Sequence, residues 1–262
     1  MPKKSYIPIT ALVAGMIGGI IRALELSGAY DDRQLVIAGS LLPAAMALYT
    51  VIAAAALIVL ALRGTKNGGG FTALPQRSAG ALNAYDVVSI ICGAGLVVCG
   101  VYYFLTVERI VIDMLFTLFM VLTGVSVTAL SFISQDDGSA PTRALLSAIP
   151  PLFGCLWLII LYRAYAGHPT LSVYCYQFLA VVLSTMSYYY MAGYHNRRGK
   201  LSKALVFSLL GVILCVIGAV SENGIMRYIL ILHAAIDLLA AFRLLSAAQN
   251  AAPSAEPEGD IQ

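Results

Sequence analysis

Long apolar runs separated by short polar breaks dominate this chain. No charged residue lies between Arg33 and Arg63, Asp86 and Glu108, Asp113 and Asp136, or Arg143 and Arg163. Each gap is about as long as the ~20 apolar residues that carry a helix across about 30 Å of hydrocarbon. Backbone amides cannot stay unpaired in lipid, and the alternation of a barrel strand is missing, so the runs predict helices. The predicted spans are 7–28, 35–62, 84–105, 111–134, 144–165, 170–194, 202–221 and 226–246. The expected fold is an all-α integral membrane protein, a bundle of about eight transmembrane helices within residues 1–246. The tail 247–262, "AAQNAAPSAEPEGDIQ", is small, acidic and proline-containing, a composition that predicts disorder.

Composition agrees with this pattern. Sixty per cent of residues are apolar and 11 % charged, where soluble domains average roughly a quarter charged. The basic residues then orient the bundle. With a cytoplasmic N-terminus, the inner segments hold Lys3, Lys4, Arg63, Lys66, Arg77, Arg143, Arg197, Arg198, Lys200, Lys203 and Arg243. The outer segments hold Arg33, Arg109, Arg163 and Arg227. Eleven against four places both termini in the cytoplasm. Topology thus accounts for the net charge of +3 without a nucleic-acid partner. The basic-then-apolar start also has the order of a signal peptide, but its apolar run is long for one.

The longest connection, "GTKNGGGFTALPQRSAG" at 64–80, pairs glycines with a lysine in the wrong order for a phosphate loop and reads as a flexible basic linker. Cys92, Cys99, Cys155, Cys175 and Cys215 all fall in spans without CxxC spacing, so they predict neither zinc nor a disulfide framework. Gly15 with Gly19, Gly93 with Gly100, and Gly211 with Gly218 are spaced to let helices approach within the bundle. Pro43 and the pair Pro150–Pro151 fall inside spans and predict bends. Tyrosines near both boundaries predict aromatic belts. The first and fifth spans both end on the outer side with Arg-Ala, and the fourth and eighth both begin near an outer arginine, Arg109 and Arg227, which fits a four-plus-four repeat.

Ionisable side chains at membrane depth usually face protein or a water-filled cavity, and each is a site candidate. In "LHAAIDLLAAFR", Asp237 lies roughly 16 Å from the outer end of the last span at 1.5 Å per residue. His233 is one turn away on the same face. The functional reading of this pair is proton or cation handling. The structural reading is a hydrogen-bonded pair fastening the last helix to its neighbours. Arg22 and Glu25, three apart on the first span, read either as a charged site or as a boundary marker reaching the interface. With Arg163 and the outer tyrosines they form a polar mouth. Glu108, Arg109 and Asp113 read as a solvated turn, and Asp86 as an acid favoured at a helix N-terminus. HExxH, GxSxG and GxGD are absent from the sequence, and no lysine lies deep within a span, Lys203 being at the inner edge of the seventh. His168, His195 and His233 sit at different depths, unlike paired haem ligands. No cofactor is called for, and no catalytic constellation assembles.

"IIRALELSGAYDD" and "IPPLFGCLWLIILYRAYAGHPTLSVYCYQFLAVVLSTMSYYYMAGYHNRRGK" resemble an uncharacterised group of multi-helix membrane proteins from anaerobic Gram-positive bacteria. The resemblance implies a multi-pass protein of a bacterial cytoplasmic membrane, and no activity. The expected function is binding or translocation of a small polar solute or ion through an outward-opening cavity. His233 and Asp237 would handle charge at its base, with Arg22, Glu25 and Arg163 at its mouth. The alternative is a non-catalytic scaffold, sensor or assembly subunit. Besides the lipid bilayer and such a solute, the sequence leaves homo-oligomerisation open.

Overall fold

The computed structural model describes residues 6–31, 35–65, 83–107, 110–133, 139–167, 171–195 and 199–250. These residues form eight helices: α1 (Tyr6–Gly28), α2 (Leu42–Thr65), α3 (Ala84–Thr106), α4 (Val111–Phe132), α5 (Ala140–Tyr165), α6 (Leu171–His195), α7 (Leu201–Ser221) and α8 (Ile225–Asn250). The described residues include no β-strand, only an isolated bridge between Tyr30 and Val36. Seven helices, all but α6, are long and apolar enough to cross a membrane. The 25 residues of α6 suffice in length. Its apolar residues are interspersed with Gln177, Ser184, Thr185, Ser187 and a series of tyrosines. The eight expected spans thus appear as seven strongly apolar helices and one mixed helix.

Local chemistry explains the starts of three helices. Asn83 and Asp86 form a reciprocal capping box at the start of α3. Proline in the first turn of α5 starts that helix four residues before its expected boundary, since a first-turn amide needs no partner. Pro43 was expected to bend a helix but is the second residue of α2, where its missing N–H costs nothing. The segment before it is an irregular loop, tied down by Ile37 N donating to the Ala29 carbonyl at 2.9 Å. At the other end, α8 continues to Asn250, past the expected boundary at 246. The rest of the tail lies outside the described residues, as do Lys66, Arg77 and most of the 64–80 linker.

α7 is the hub of the bundle. Of its most apolar stretch, 67 % is buried, against 17 % for the peripheral α2. It packs on α6, α8, α1 and α2, while α3, α4, α5, α6 and α8 close a ring through successive contacts. The end where α1 begins is called the proximal face and the opposite end the distal face.

Small residues bring the backbones together inside the bundle. A Cβ on Gly93 would lie 2.6 Å from the Gly124 carbonyl oxygen, so α3 and α4 touch backbone to backbone. Gly15 and Gly19 receive Val216 and Val220 of α7, and Gly218 lies against Gln177 of α6. All five cysteines are free thiols, Cys155 exposed and Cys92, Cys99 and Cys215 buried. Phe116, Phe153 and Trp157 form an aromatic wedge between α4 and α5, with ring centroids 5.2–6.0 Å apart.

Candidate functional site

Two buried polar centres differ in how completely they are satisfied. The first lies near the distal face, where α1, α6 and α7 meet. Arg22 is fully buried, with 0 % exposure. Its Nη1 donates to Glu25 Oε2 at 2.7 Å, Nε to Ser221 Oγ at 2.8 Å and Nη2 to the Val173 carbonyl at 2.7 Å. The guanidinium carbon sits 4.9 Å from the Tyr176 ring centroid. Glu25 Oε1 accepts from the Tyr30 hydroxyl at 2.7 Å. The pair therefore does not reach for the interface, as a boundary marker would. It is closed on itself and fastens three helices.

Arg163 does not join this group. It is exposed in the last turn of α5 and takes no part in the hydrogen bonds around Arg22. On the same face Glu222 follows α7 and accepts from the Tyr165 hydroxyl at 3.4 Å. Burial pushes its carboxyl above the usual range, while Tyr165 and Arg227 pull it back. Tyr103 donates to Asp113 at 3.2 Å. The expected Arg109–Asp113 pair falls on Arg109, outside the described residues.

The second centre is the junction of α6, α7 and α8 at the depth of Asp237. Asp237 is fully buried, and His233 is 3 % exposed. Their spacing puts them on one face of α8, yet they form no ion pair or hydrogen bond with each other. His233 Nδ1 donates to the Ile229 carbonyl at 2.8 Å. Its ring continues the aromatic wedge, 5.4 Å from Trp157, 5.9 Å from Phe153 and 5.6 Å from Tyr188. Asp237 turns instead toward α6 and α7, where Ser184 Oγ donates to its Oδ2 at 2.5 Å. Gly211 makes the room: a Cβ there would lie 2.4 Å from Oδ2.

Each hydroxyl in this cluster has only one proton to donate. Ser208 Oγ donates to the Ala204 carbonyl at 2.9 Å and shares a 2.8 Å hydrogen bond with Ser187, whose hydroxyl also lies within reach of the Asp237 carboxylate. Ser184 donates to Asp237 and also contacts the Cys215 Sγ at 3.2 Å, while that thiol lies 4.0 Å from the Ala180 carbonyl. Two buried oxygens are left without a partner, Asp237 Oδ1 and the Tyr188 hydroxyl. Asp237 and Cys215 lie within electrostatic reach of that hydroxyl. Among the described residues, no charged side chain bonds to Asp237.

Tyr188 connects this cluster to a cavity of about 450 Å³ inside the α3–α4–α5–α6–α8 ring. Ile236, Pro150 and Tyr188 line its deep end. Asp86 and Arg243 lie at the proximal end, where Arg243 Nη2 bonds to Asp86 Oδ1 at 2.7 Å and to Ser89 Oγ at 3.3 Å. From Ser246 to Ile236 the cavity follows α8 for about 15 Å at 1.5 Å per residue, half the thickness of a hydrocarbon core. An outward-opening cavity was expected beside Arg22, Glu25 and Arg163. The cavity found lies at the opposite end, because the Arg22 network and the aromatic wedge fill the distal half.

The sequence reading missed Ser184, Ser187, Tyr188, Ser208 and the Arg243–Asp86 pair. A signal for part of the set was present, since Ser208, Gly211 and Cys215 form a small, weakly polar stripe on one face of α7. Among the described residues no group of histidine, cysteine and acidic side chains is arranged to hold a metal ion. The chain matches no known family, no curated protein and no solved structure. Seven long apolar helices identify it as consistent with a polytopic membrane protein.

Proposed function

We propose that this chain spans a bacterial cytoplasmic membrane eight times, with both termini in the cytoplasm, and binds a small polar solute or ion in the proximal cavity. On this topology the cavity opens to the cytoplasm. Arg243, Asp86, Ser89, Ser131 and Ser147 offer polar contacts along its wall, and Ile236, Leu239 and Pro150 offer apolar ones. The reading is carried by one observation: the cavity reaches mid-bilayer depth and ends on Tyr188, whose buried hydroxyl has no partner. Most buried polar groups are hydrogen-bonded, and an exception calls for an explanation such as a ligand or ion. Behind Tyr188, Asp237 and His233 handle charge. Translocation in this reading is alternating access, with Tyr188, His233 and Asp237 as the barrier between the cavity and the distal face.

A ligand that binds only the folded state stabilises it by about 2.7 kcal/mol at a hundred times its Kd. A thermal-shift screen of the full chain in detergent, over amino acids, sugars, organic acids and alkali cations, reads this directly. At least one solute class should raise the melting temperature of the wild type and leave Ala240→Leu, which narrows the cavity, unmoved. A filled variant that responds like the wild type removes the cavity as the site. In proteoliposomes, Asp237→Asn should abolish uptake of the same solute.

The full burial of Asp237 and its bond to Ser184 favour a second reading, a non-catalytic membrane scaffold whose polar groups only fasten helices. On that reading Asp237→Asn lowers thermal stability and leaves every solute response unchanged.

A further inference from the structure

A second, larger hollow of about 860 Å³ lies on the outer surface of the bundle, between α5 and α6 near the proximal face. Its floor is made by small residues, Ala148 and Gly193, and its walls by Pro151, Leu152 and Tyr189. Leu152 and Tyr189 are 55 % and 61 % exposed, so this wall is uncovered within the chain. Pro151 lies inside α5, where a missing backbone donor bends a helix away from its neighbour.

The proximal end of the hollow is basic. Lys200 lines it and is exposed. Lys203, on the first turn of α7, holds its ammonium 5.9 Å from the centroid of the Tyr190 ring, which stacks on Phe207 at 5.2 Å. Among the described residues lining the hollow, Lys200 is the charged one. An apolar trough running along the bundle and ending in two cations matches an amphiphile with an acyl chain and a negative head. Basic pockets between transmembrane helices hold anionic lipid headgroups by this complementarity.

We infer that the α5–α6 hollow is a binding site for an anionic phospholipid of the leaflet at the proximal face, with an acyl chain along Pro151 and Leu152 and the phosphate at Lys200 and Lys203. The inference depends on the membrane reading of the chain and not on the solute cavity, since neither lysine lines that cavity.

Native mass spectrometry of the full chain, released from detergent with phosphatidylglycerol or phosphatidylcholine added, tests it. Phosphatidylglycerol should be retained in preference, and replacing each lysine by glutamine should weaken retention about fivefold. Ala148→Leu, at an exposed position that fills the trough, should reduce retention with both lysines intact. Equal retention of the two lipids overturns the inference, as does unchanged retention in Lys200→Gln/Lys203→Gln. Glycerol phosphate should not compete, and competition by it would assign the lysines to a free anion instead of a lipid.

Discussion

Arg22 and Asp237 are both ionisable and both 0 % exposed, on helices that read as membrane spans. Around Arg22 each guanidinium nitrogen has an acceptor, and both oxygens of Glu25 have donors. Around Asp237, Ser184 donates to Oδ2 and Ser187 lies within reach of the carboxylate, but Oδ1 makes no close hydrogen bond among the described residues. The first arrangement is a finished structural joint, in which the ion pair offsets its own desolvation through supporting hydrogen bonds. The second leaves a buried acceptor unmade, which costs about 1–3 kcal/mol. Burial alone therefore does not separate a functional charge from a structural one. The count of satisfied atoms does: the Arg22–Glu25 pair is closed, whereas Asp237 Oδ1 and the Tyr188 hydroxyl above the proximal cavity, like Gln177 Oε1 on α6, are not.

The largest effect is expected at the finished joint. Arg22→Met strands Glu25 as an unpaired buried charge and should cost about 3–5 kcal/mol. Removing both partners, as Arg22→Met/Glu25→Leu, should recover most of that loss. Unfolding in mixed micelles measures each variant. A double variant as unstable as the single one would mean that the guanidinium holds the helices through Ser221 and Val173, independently of Glu25.

An intermediate effect is expected at Gly211. A methyl group there meets Asp237 Oδ2 at 2.4 Å and Cγ at 3.0 Å. Overpacking of this kind costs about 1–3 kcal/mol. In an Asp237→Ala background the obstruction is gone, so Gly211→Ala should be nearly free, with a coupling of about 0.5–3 kcal/mol between the sites. Equal cost in both backgrounds would show that α7 is pressed against something other than the carboxylate.

The limits of the sequence follow from the same comparison. Helix positions were legible where polar breaks flank a long apolar run: α1, α3 and α7 begin and end within a residue of their expected bounds. α2 was misplaced at its start because residues 35–41 are apolar enough to read as helix, although a loop bonded to Ala29 uses them. The candidate residues were legible as well, since an ionisable group in an apolar run stands out. Their partners were not. Spacing of three or four reports only neighbours on one helix, and it gave Arg22–Glu25 correctly while failing for His233 and Asp237. Those two side chains turn to different neighbours, which depends on how α6 and α7 are rotated in the bundle. The cavity's end was misread for a related reason. Arginines and tyrosines crowd the distal boundary in sequence, but Arg22, Tyr30 and Tyr103 are consumed by one another or by acids. The cavity wall is largely apolar, and most of its polar groups away from the Arg243–Asp86 pair are isolated serines that a helix absorbs without signal.

The smallest effect is the most discriminating, because the two readings of the proximal centre differ in sign at Tyr188. Tyr49 is the internal standard. Its hydroxyl donates to the Ala14 carbonyl at 2.6 Å, and Tyr49→Phe should cost about 0.5–1.5 kcal/mol, the net worth of one hydrogen bond. The Tyr188 hydroxyl has no such acceptor. Tyr188→Phe removes a group that is desolvated without return, so the empty protein should be unchanged or stabilised by up to about 1 kcal/mol. The same substitution should weaken any solute that stabilises the wild type through the cavity. A loss in the empty protein as large as that of Tyr49→Phe would mean that Tyr188 is already partnered when the cavity is empty. The centre around Asp237 would then be as closed as the one around Arg22, and the scaffold reading would hold for both ends of the bundle.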